Sequence, residues 1–183
     1  MKRYQYLIIS ISFILLLCSF AWADEELCYP PYWGGLLPGE SFEKEALRLY
    51  GQGLFRDEMD RHVRFYYNKA GTHTLVIFFG TDLFVTDIFI HQGIKFPENK
   101  KISDIRKYTS EWFDPFEGFG KWHRLKIGAS RTEALRWLGN PHNTISNNEW
   151  EYRSKCACEL PRGITIYFKS DKIISVRFWA SQG

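Results

Sequence analysis

Cys156-Ala157-Cys158 offers the strongest nucleophiles in this chain, and His142 lies a short way upstream. A thiol enzyme needs a base within hydrogen-bond reach of its cysteine, so His142 with Cys156 or Cys158 is the pairing that would serve. His142 directly follows Pro141, where a histidine in a surface loop is the ordinary reading. Neighbouring cysteines in an exported chain are more often oxidised than catalytic. Arg56 to His62, "RDEMDRH", gathers Asp57, Glu58, Asp60 and His62 and could hold a cation, but the same residues make an ordinary solvated turn with local ion pairs. Gly51-Gln52-Gly53 and Gly118-Phe119-Gly120 lack the strand-to-helix setting of a phosphate loop. The expectation is therefore no catalytic residue, no metal and no cofactor.

The cysteines also bear on compartment. Lys2 and Arg3 precede an apolar run, Tyr6 to Phe20, and Ala21-Trp22-Ala23 places small residues where a signal peptidase reads them. Residues 1–23 are expected to be a signal peptide, cut before Asp24. The apolar run is shorter than the roughly 20 residues of a spanning helix, and Leu17 stands before Cys18 where a lipidation signal wants a small residue. No membrane span is then expected after cleavage, and the location is periplasmic or secreted. Cys28, Cys156 and Cys158 remain, with one thiol left over if two of them pair. Cys28 bonded to Cys156 or Cys158 is the preferred arrangement; a Cys156–Cys158 bridge would close a small strained ring. Zinc is a third reading, weakened because Cys-x-Cys lacks the usual spacer.

The full chain of 183 residues carries 24 basic and 21 acidic side chains, and two of the basic ones belong to the leader. The mature chain is thus nearly neutral, with no basic stripe, so nucleic acid is not an expected partner.

The elements that would position any site come in a repeated order. Ser130-Arg131-Thr132-Glu133 reads as a capping box, Ala134, Leu135, Trp137 and Leu138 share an apolar face, and Gly139 with Pro141 ends the helix. "EALRWLG" at Glu133–Gly139 is echoed by "EALRLYG" at Glu45–Gly51, about 88 residues earlier, although the capping box is broken there. A strand and a two-stranded hairpin follow each helix. In the second hairpin Ile164, Ile166 and Phe168 alternate, then Ile174, Val176 and Phe178. In the first, Leu75, Ile77 and Phe79 alternate, while the next strand is ambiguous between Phe84/Ile88/Ile90 and Val85/Phe89.

The predicted fold class is α+β: two tandem repeats, each a short helical layer on an antiparallel sheet of three to four strands. The predicted domains are an N-terminal arm (24–38), a degenerate first repeat (39–93), a helical and aromatic linker (94–123) and a second repeat (124–183). Four rings in the linker, Phe113, Phe116, Phe119 and Trp122, predict that it packs against a repeat.

"LKIGASRTEALRWLGNP", "WEYR" and "ITIYFKSDKIISVRF", spread over Arg124 to Phe178, resemble the SmpA/OmlA (BamE-like) domain. The doubled form looks like the tandem architecture of the beta-lactamase inhibitory protein. The resemblance implies a non-enzymatic envelope protein that binds other proteins. The family's usual members are single-domain lipoproteins, so a role in barrel assembly does not transfer with the pattern.

Alternation places Thr165, Tyr167 and Lys169 opposite the core set of one strand, and Ser175, Arg177 and Trp179 opposite that of the next. In the first half Val76, Phe78 and Asp87 or its neighbours would share that face. Tyr, Trp and Arg together are the residue types that dominate protein interfaces. Tyr167, Lys169, Arg177 and Trp179 are thus the candidate partner-binding residues, and another envelope or secreted protein the expected partner. The bland alternative is that the face is covered within the chain.

Overall fold

A computed structural model describes residues 32–58, 61–68, 70–93, 126–154 and 161–181. The expected leader, Cys28, the linker at 94–123, Cys156 and Cys158 lie outside the described residues.

Helix α1 (Glu43–Tyr50) precedes strands β1 (Leu54–Glu58), β2 (Arg61–Tyr67), β3 (His73–Phe79) and β4 (Val85–Gln92). Helix α2 (Arg131–Leu138) precedes β5 (Asn143–Ser146), β6 (Glu149–Arg153), β7 (Arg162–Lys169) and β8 (Lys172–Ala180). The strands form one antiparallel sheet in the order β1-β2-β3-β4-β8-β7-β6-β5. This corrects the predicted fold class. The molecule is dominated by a single eight-stranded sheet, with two short helices among the described residues, and is not a pair of helix-on-sheet repeats. The reason is the pairing of β4 with β8, where Ile88 meets Phe178 and Ile90 meets Val176. Two separate sheets would each leave such a strand as an unpaired edge; joining them satisfies both ladders and makes one core.

Inside that sheet the local chemistry does recur. The Glu133 carboxylate accepts from the Ser130 amide, and the Ser130 hydroxyl accepts from the Glu133 amide. In α1 the Glu45 carboxylate accepts from the Phe42 amide, but Phe42 has no side-chain oxygen to complete the box. Each helix stops at a glycine with nearly the same backbone, φ 76° at Gly51 and φ 75° at Gly139, a region closed to most L side chains. The Tyr66 hydroxyl donates to the Gly51 carbonyl and the Tyr152 hydroxyl to the Gly139 carbonyl, both at 3.1 Å.

Ala46 and Tyr50 of α1, with Ala134 and Leu138 of α2, are buried against one face of the sheet. That face carries Tyr66, Leu75, Ile77, Ile88, Ile164 and Ile166. Leu135, expected to share the apolar face of α2, is 38% exposed, because Ala134, Leu138 and half-buried Trp137 already span the contact. Trp33 and Leu36 enter the same core, and Trp33 stacks on Tyr50 at 6.3 Å. Aromatic burial therefore anchors the described end of the N-terminal arm.

Two irregularities decide which residues face inward. The β7–β8 register shifts so that Tyr167 faces Ser175 but Phe168 faces Ile173. Ile173 thus takes the core place expected of Ile174, and Ile174 is the extra, half-buried residue. The β3–β4 register shifts likewise: Phe78 faces Asp87 but Phe79 faces Val85, and Thr86 is the extra residue. The core set of β4 is accordingly Val85, Ile88 and Ile90, a mixture of the two sets alternation allowed. A bulge inserts one residue and inverts the face of everything beyond it.

Candidate functional site

The sheet face opposite the helices divides in two. Register aligns Leu54, Phe65, Val76, Phe89, Arg177, Thr165 and Glu151 across seven strands in one row. The β1–β3 part of this face is apolar, and Leu54, Val63, Phe65, Tyr67 and Val76 are buried in their own cluster. From β4 onward the face turns polar. There a groove of about 410 Å³ opens, running over Glu149, Glu151, Thr165 and Arg177 toward Asp87 and Trp179. Ile145 stands at its rim on the β5 side, 50% exposed, and Arg61 lines it too.

Three of the four residues expected to bind a partner are brought together. Arg177 sits between Phe89 and Thr165 in register, Trp179 between Asp87 and Gly163, and Tyr167 between Ser175 and Glu149. Lys169 is separate from them: it is exposed at the β7–β8 turn, opposite Lys172, and does not line the groove.

Each side chain is held by a specific neighbour. Arg177 donates through Nε to Asp87 Oδ1 at 2.6 Å, and its guanidinium lies 5.4 Å from the Phe89 ring centre. Asp87 is buried, with 7% of its side chain exposed, whereas 37% of the Arg177 side chain faces solvent. A buried carboxylate needs such a partner, because an unpaired charge in that position is costly. Trp179 donates its indole N–H to the Thr165 hydroxyl at 3.1 Å. Its ring lies against Gly163, where an added Cβ would come within 2.7 Å of Trp179 Cζ2 and would also strike the Tyr152 carbonyl. Glycine at 163 is what lets the indole lie flat on β7. Burial pushes the Tyr167 hydroxyl above its ordinary pKa, the Glu149 carboxylate adds to this, and Arg177 opposes it.

Thr165 and Ser175, expected on the outward face, are on it but are almost fully buried, at 2% and 4% exposure. Thr165 is covered by its bond to Trp179. Glu149, Glu151, Arg61 and Ile145 were not legible as site residues. In "EWEYR" Glu149 and Glu151 are simply the polar residues that alternate with Trp150 and Tyr152, and nothing in sequence joins Arg61 or Ile145 to that face. Asp87 carried a signal, a carboxylate within the apolar run "VTDIFI".

The other candidates lie partly outside the described residues. Asp57 and His62 approach at 3.8 Å across the β1–β2 hairpin, while Met59 and Asp60 lie outside the described residues. No group of three His, Cys, Asp or Glu able to hold a metal occurs among the described residues. His142 is exposed, and its Nδ1 accepts from the Arg153 amide at 3.2 Å. The cysteines it was weighed with, and every proposed disulfide partner, lie outside the described residues. No described helix is long and apolar enough to cross a membrane.

No protein-family model matches the chain, and no curated protein matches its sequence. Among solved structures it is similar to a DUF4309 family protein (YjgB) from Bacillus subtilis subsp. subtilis str. 168, with 12% identity, coverage of 80% of this chain and 83% of that one, and a TM-score of 0.48. It is also similar to an extracellular protein containing an SCP domain from Bacillus anthracis str. Ames, with 10% identity and a TM-score of 0.43. That match covers 76% of this chain but 43% of the other, so the chain spans less than half of that neighbour's length. Neither likeness specifies a function.

Proposed function

We propose that this chain is an exported, non-catalytic protein-interaction module of the bacterial cell envelope. It acts as an assembly or scaffold factor, or as an inhibitor, and holds its partner on the groove-bearing half of the open sheet face. The observation that carries this reading is the division of that face. Its apolar half is buried, while its other half keeps Trp179, Tyr167 and Arg177 half-exposed beside a groove. A half-exposed tryptophan, tyrosine and arginine, each fixed by a neighbour, make a preorganised patch of the kind that supplies most binding energy in protein interfaces. The leader-like segment at 1–23 supports export, and the resemblance of Arg124–Phe178 to the BamE-like domain supports an envelope role.

Site-specific photo-crosslinking tests the reading. A photoreactive phenylalanine analogue placed at Tyr167 should capture a discrete envelope or secreted protein when the tagged chain is expressed in a bacterial host of origin. The same analogue at Leu135, exposed on α2, should not. Equal capture at both positions, or capture at Leu135 alone, contradicts the assignment of the face.

A further inference from the structure

The strand registers make the two halves of the sheet comparable residue by residue. Each half has its bulge at the same place, Thr86 in one and Ile174 in the other. Matching the bulges sets Tyr66 against Tyr152, Ile77 against Ile166 and Ile88 against Val176 in the core. On the open face the same correspondence sets Val63 against Glu149, Phe65 against Glu151 and Tyr67 against Arg153. It also sets Val76 against Thr165, Phe78 against Tyr167 and Phe89 against Arg177. Four of these six second-half residues are charged, and none of the first-half residues is. One surface is composed for water or a polar guest, its counterpart for an apolar cover.

That cover is in place. Val63 and Tyr67 are fully buried, and Leu54, Phe65 and Val76 nearly so. Side chains stand away from a sheet, so neighbours on the same face do not close them off from above. Yet α1, α2 and the arm residues Trp33 and Leu36 all pack in the core on the helix side.

The connection between β4 and α2 has the length and the composition to supply the cover. Its two ends lie close together. His91 faces Ser175 in the β4–β8 ladder, so Gly93 and Ile173, each two residues on, stand at the same end of it. The Gly128 amide, just before α2, donates to the Ile173 carbonyl at 2.7 Å. A few residues would bridge these points, whereas the chain spends residues 94–125 there. Crossing from β4 to β1 takes three strand spacings, about 14 Å each way. That is a small part of what such a stretch can span at roughly 3.3 Å per residue. The stretch carries Ile102, Ile105, Phe113, Phe116, Phe119 and Trp122. Other parts of the chain are worse placed: the arm enters on the helix side through Trp33, and residues 155–160 join β6 to β7 in the other half.

We infer that the apolar half of the open face is the docking surface for this chain's own residues 94–125. The duplicated face thus serves two occupants: its first-half copy takes a segment of the same chain, and its polar copy stays open. The inference does not depend on the partner reading, because it concerns the half of the face that the partner does not use.

Photo-crosslinking within the full chain tests it. A diazirine-bearing phenylalanine analogue at Phe65, irradiated in dilute solution and mapped by mass spectrometry, should form an adduct with residues 94–125 of the same chain. The same analogue at Tyr167 should form none with that stretch. Adducts from Phe65 that reach only another copy of the chain, or only residues outside 94–125, overturn the inference. A second measurement uses the variant Phe113→Ser, Phe116→Ser, Phe119→Ser and Trp122→Ser. Its Val63 and Val76 methyl signals should move, and its binding of an apolar fluorescent dye should rise severalfold, while the Ile164 and Ile166 methyl signals hold. Unmoved valine signals in a folded variant contradict the inference. The crosslink is read with all four rings in place, so it decides the matter even where the serine variant does not fold.

Discussion

Asp87 on β4 and Arg177 on β8 hold each other across the seam where the two halves of the sheet meet, with Nε and Nη2 of the arginine both 2.6 Å from one carboxylate oxygen. The pair does two jobs. It neutralises a buried charge in the middle of the sheet, and it fixes the guanidinium that walls the groove.

Removing one partner should be worse than removing both. Arg177→Met leaves the Asp87 carboxylate buried without its cation and should destabilise by about 2–3 kcal/mol, toward the low end for a buried pair because Arg177 is partly exposed. Asp87→Asn together with Arg177→Met should recover part of that loss. Urea melts of the two single variants and the double variant would expose a coupling of about 1 kcal/mol or more; strict additivity would show that the pair contributes little.

Gly163 should tolerate no side chain. Gly163→Ala drives a methyl into the Trp179 ring and the Tyr152 carbonyl, an overpacking expected to cost about 1–3 kcal/mol. The Trp179 indole N–H signal should also move, because displacing the ring breaks its bond to Thr165. An alanine variant with unchanged melting and an unchanged indole signal would contradict this account of the groove wall.

Much of this organisation was legible before any coordinates. The α2 start at Ser130 and Glu133, the glycine stops and the inward sets of β3 and β7 follow from local rules, and local rules hold where a helix cap or a clean alternation decides. What failed was non-local. Nothing in either half announces that β4 will pair with β8, so one sheet was expected to be two. The extra residues Thr86 and Ile174 invert alternation inside β4 and β8, and neither threonine nor isoleucine announces which face it takes. Of the site, Tyr167, Arg177 and Trp179 could be placed on one face by period alone. Their partners Asp87 and Thr165 depend on register across the sheet, which period does not supply.

Helix capping should differ between the halves. Ser130→Ala removes an acceptor for the Glu133 amide and should cost about 1 kcal/mol. The hydrogen bonds from Ser130 hold the Glu133 carboxyl below its usual range, so its contribution is present above the ordinary carboxylate pKa and fades as pH falls through the lowered value. Phe42→Ala removes no side-chain cap and should act through loss of its ring contacts with Phe84, at 4.1 Å, and with the Lys44 ammonium, 5.2 Å from the ring centre. Thermal melts at neutral and acidic pH would show the loss from Ser130→Ala shrinking in acid, and that from Phe42→Ala holding constant.

Alkaline stability should report the two tyrosines beneath the helix stops. Burial raises the Tyr152 hydroxyl from its ordinary 10.0 to about 12 and moves Tyr66 in the same direction. Between these values an unfolded tyrosine has lost its proton while the folded one keeps it, so stability is whole below about pH 10 and falls as pH rises through 12. Tyr152→Phe should cost about 1 kcal/mol at neutral pH through the lost bond to the Gly139 carbonyl, and should flatten the alkaline decline. A decline of the same steepness in the phenylalanine variant would contradict the assignment.

The central claim is that the groove-bearing half of the open face holds a protein partner, and the affinity of the partner captured at Tyr167 tests it most directly. Its Kd should be measured by calorimetry against the native chain, Trp179→Ala and Leu135→Ala, with near-ultraviolet circular dichroism confirming the fold of each. Trp179→Ala should remain folded and lose about 2 kcal/mol or more of binding, roughly thirtyfold in Kd, while Leu135→Ala binds like the native chain. If folded Trp179→Ala binds as tightly as the native chain, the partner sits elsewhere. If Trp179→Ala does not fold, the indole is internal support for β7 and the face is not a binding surface.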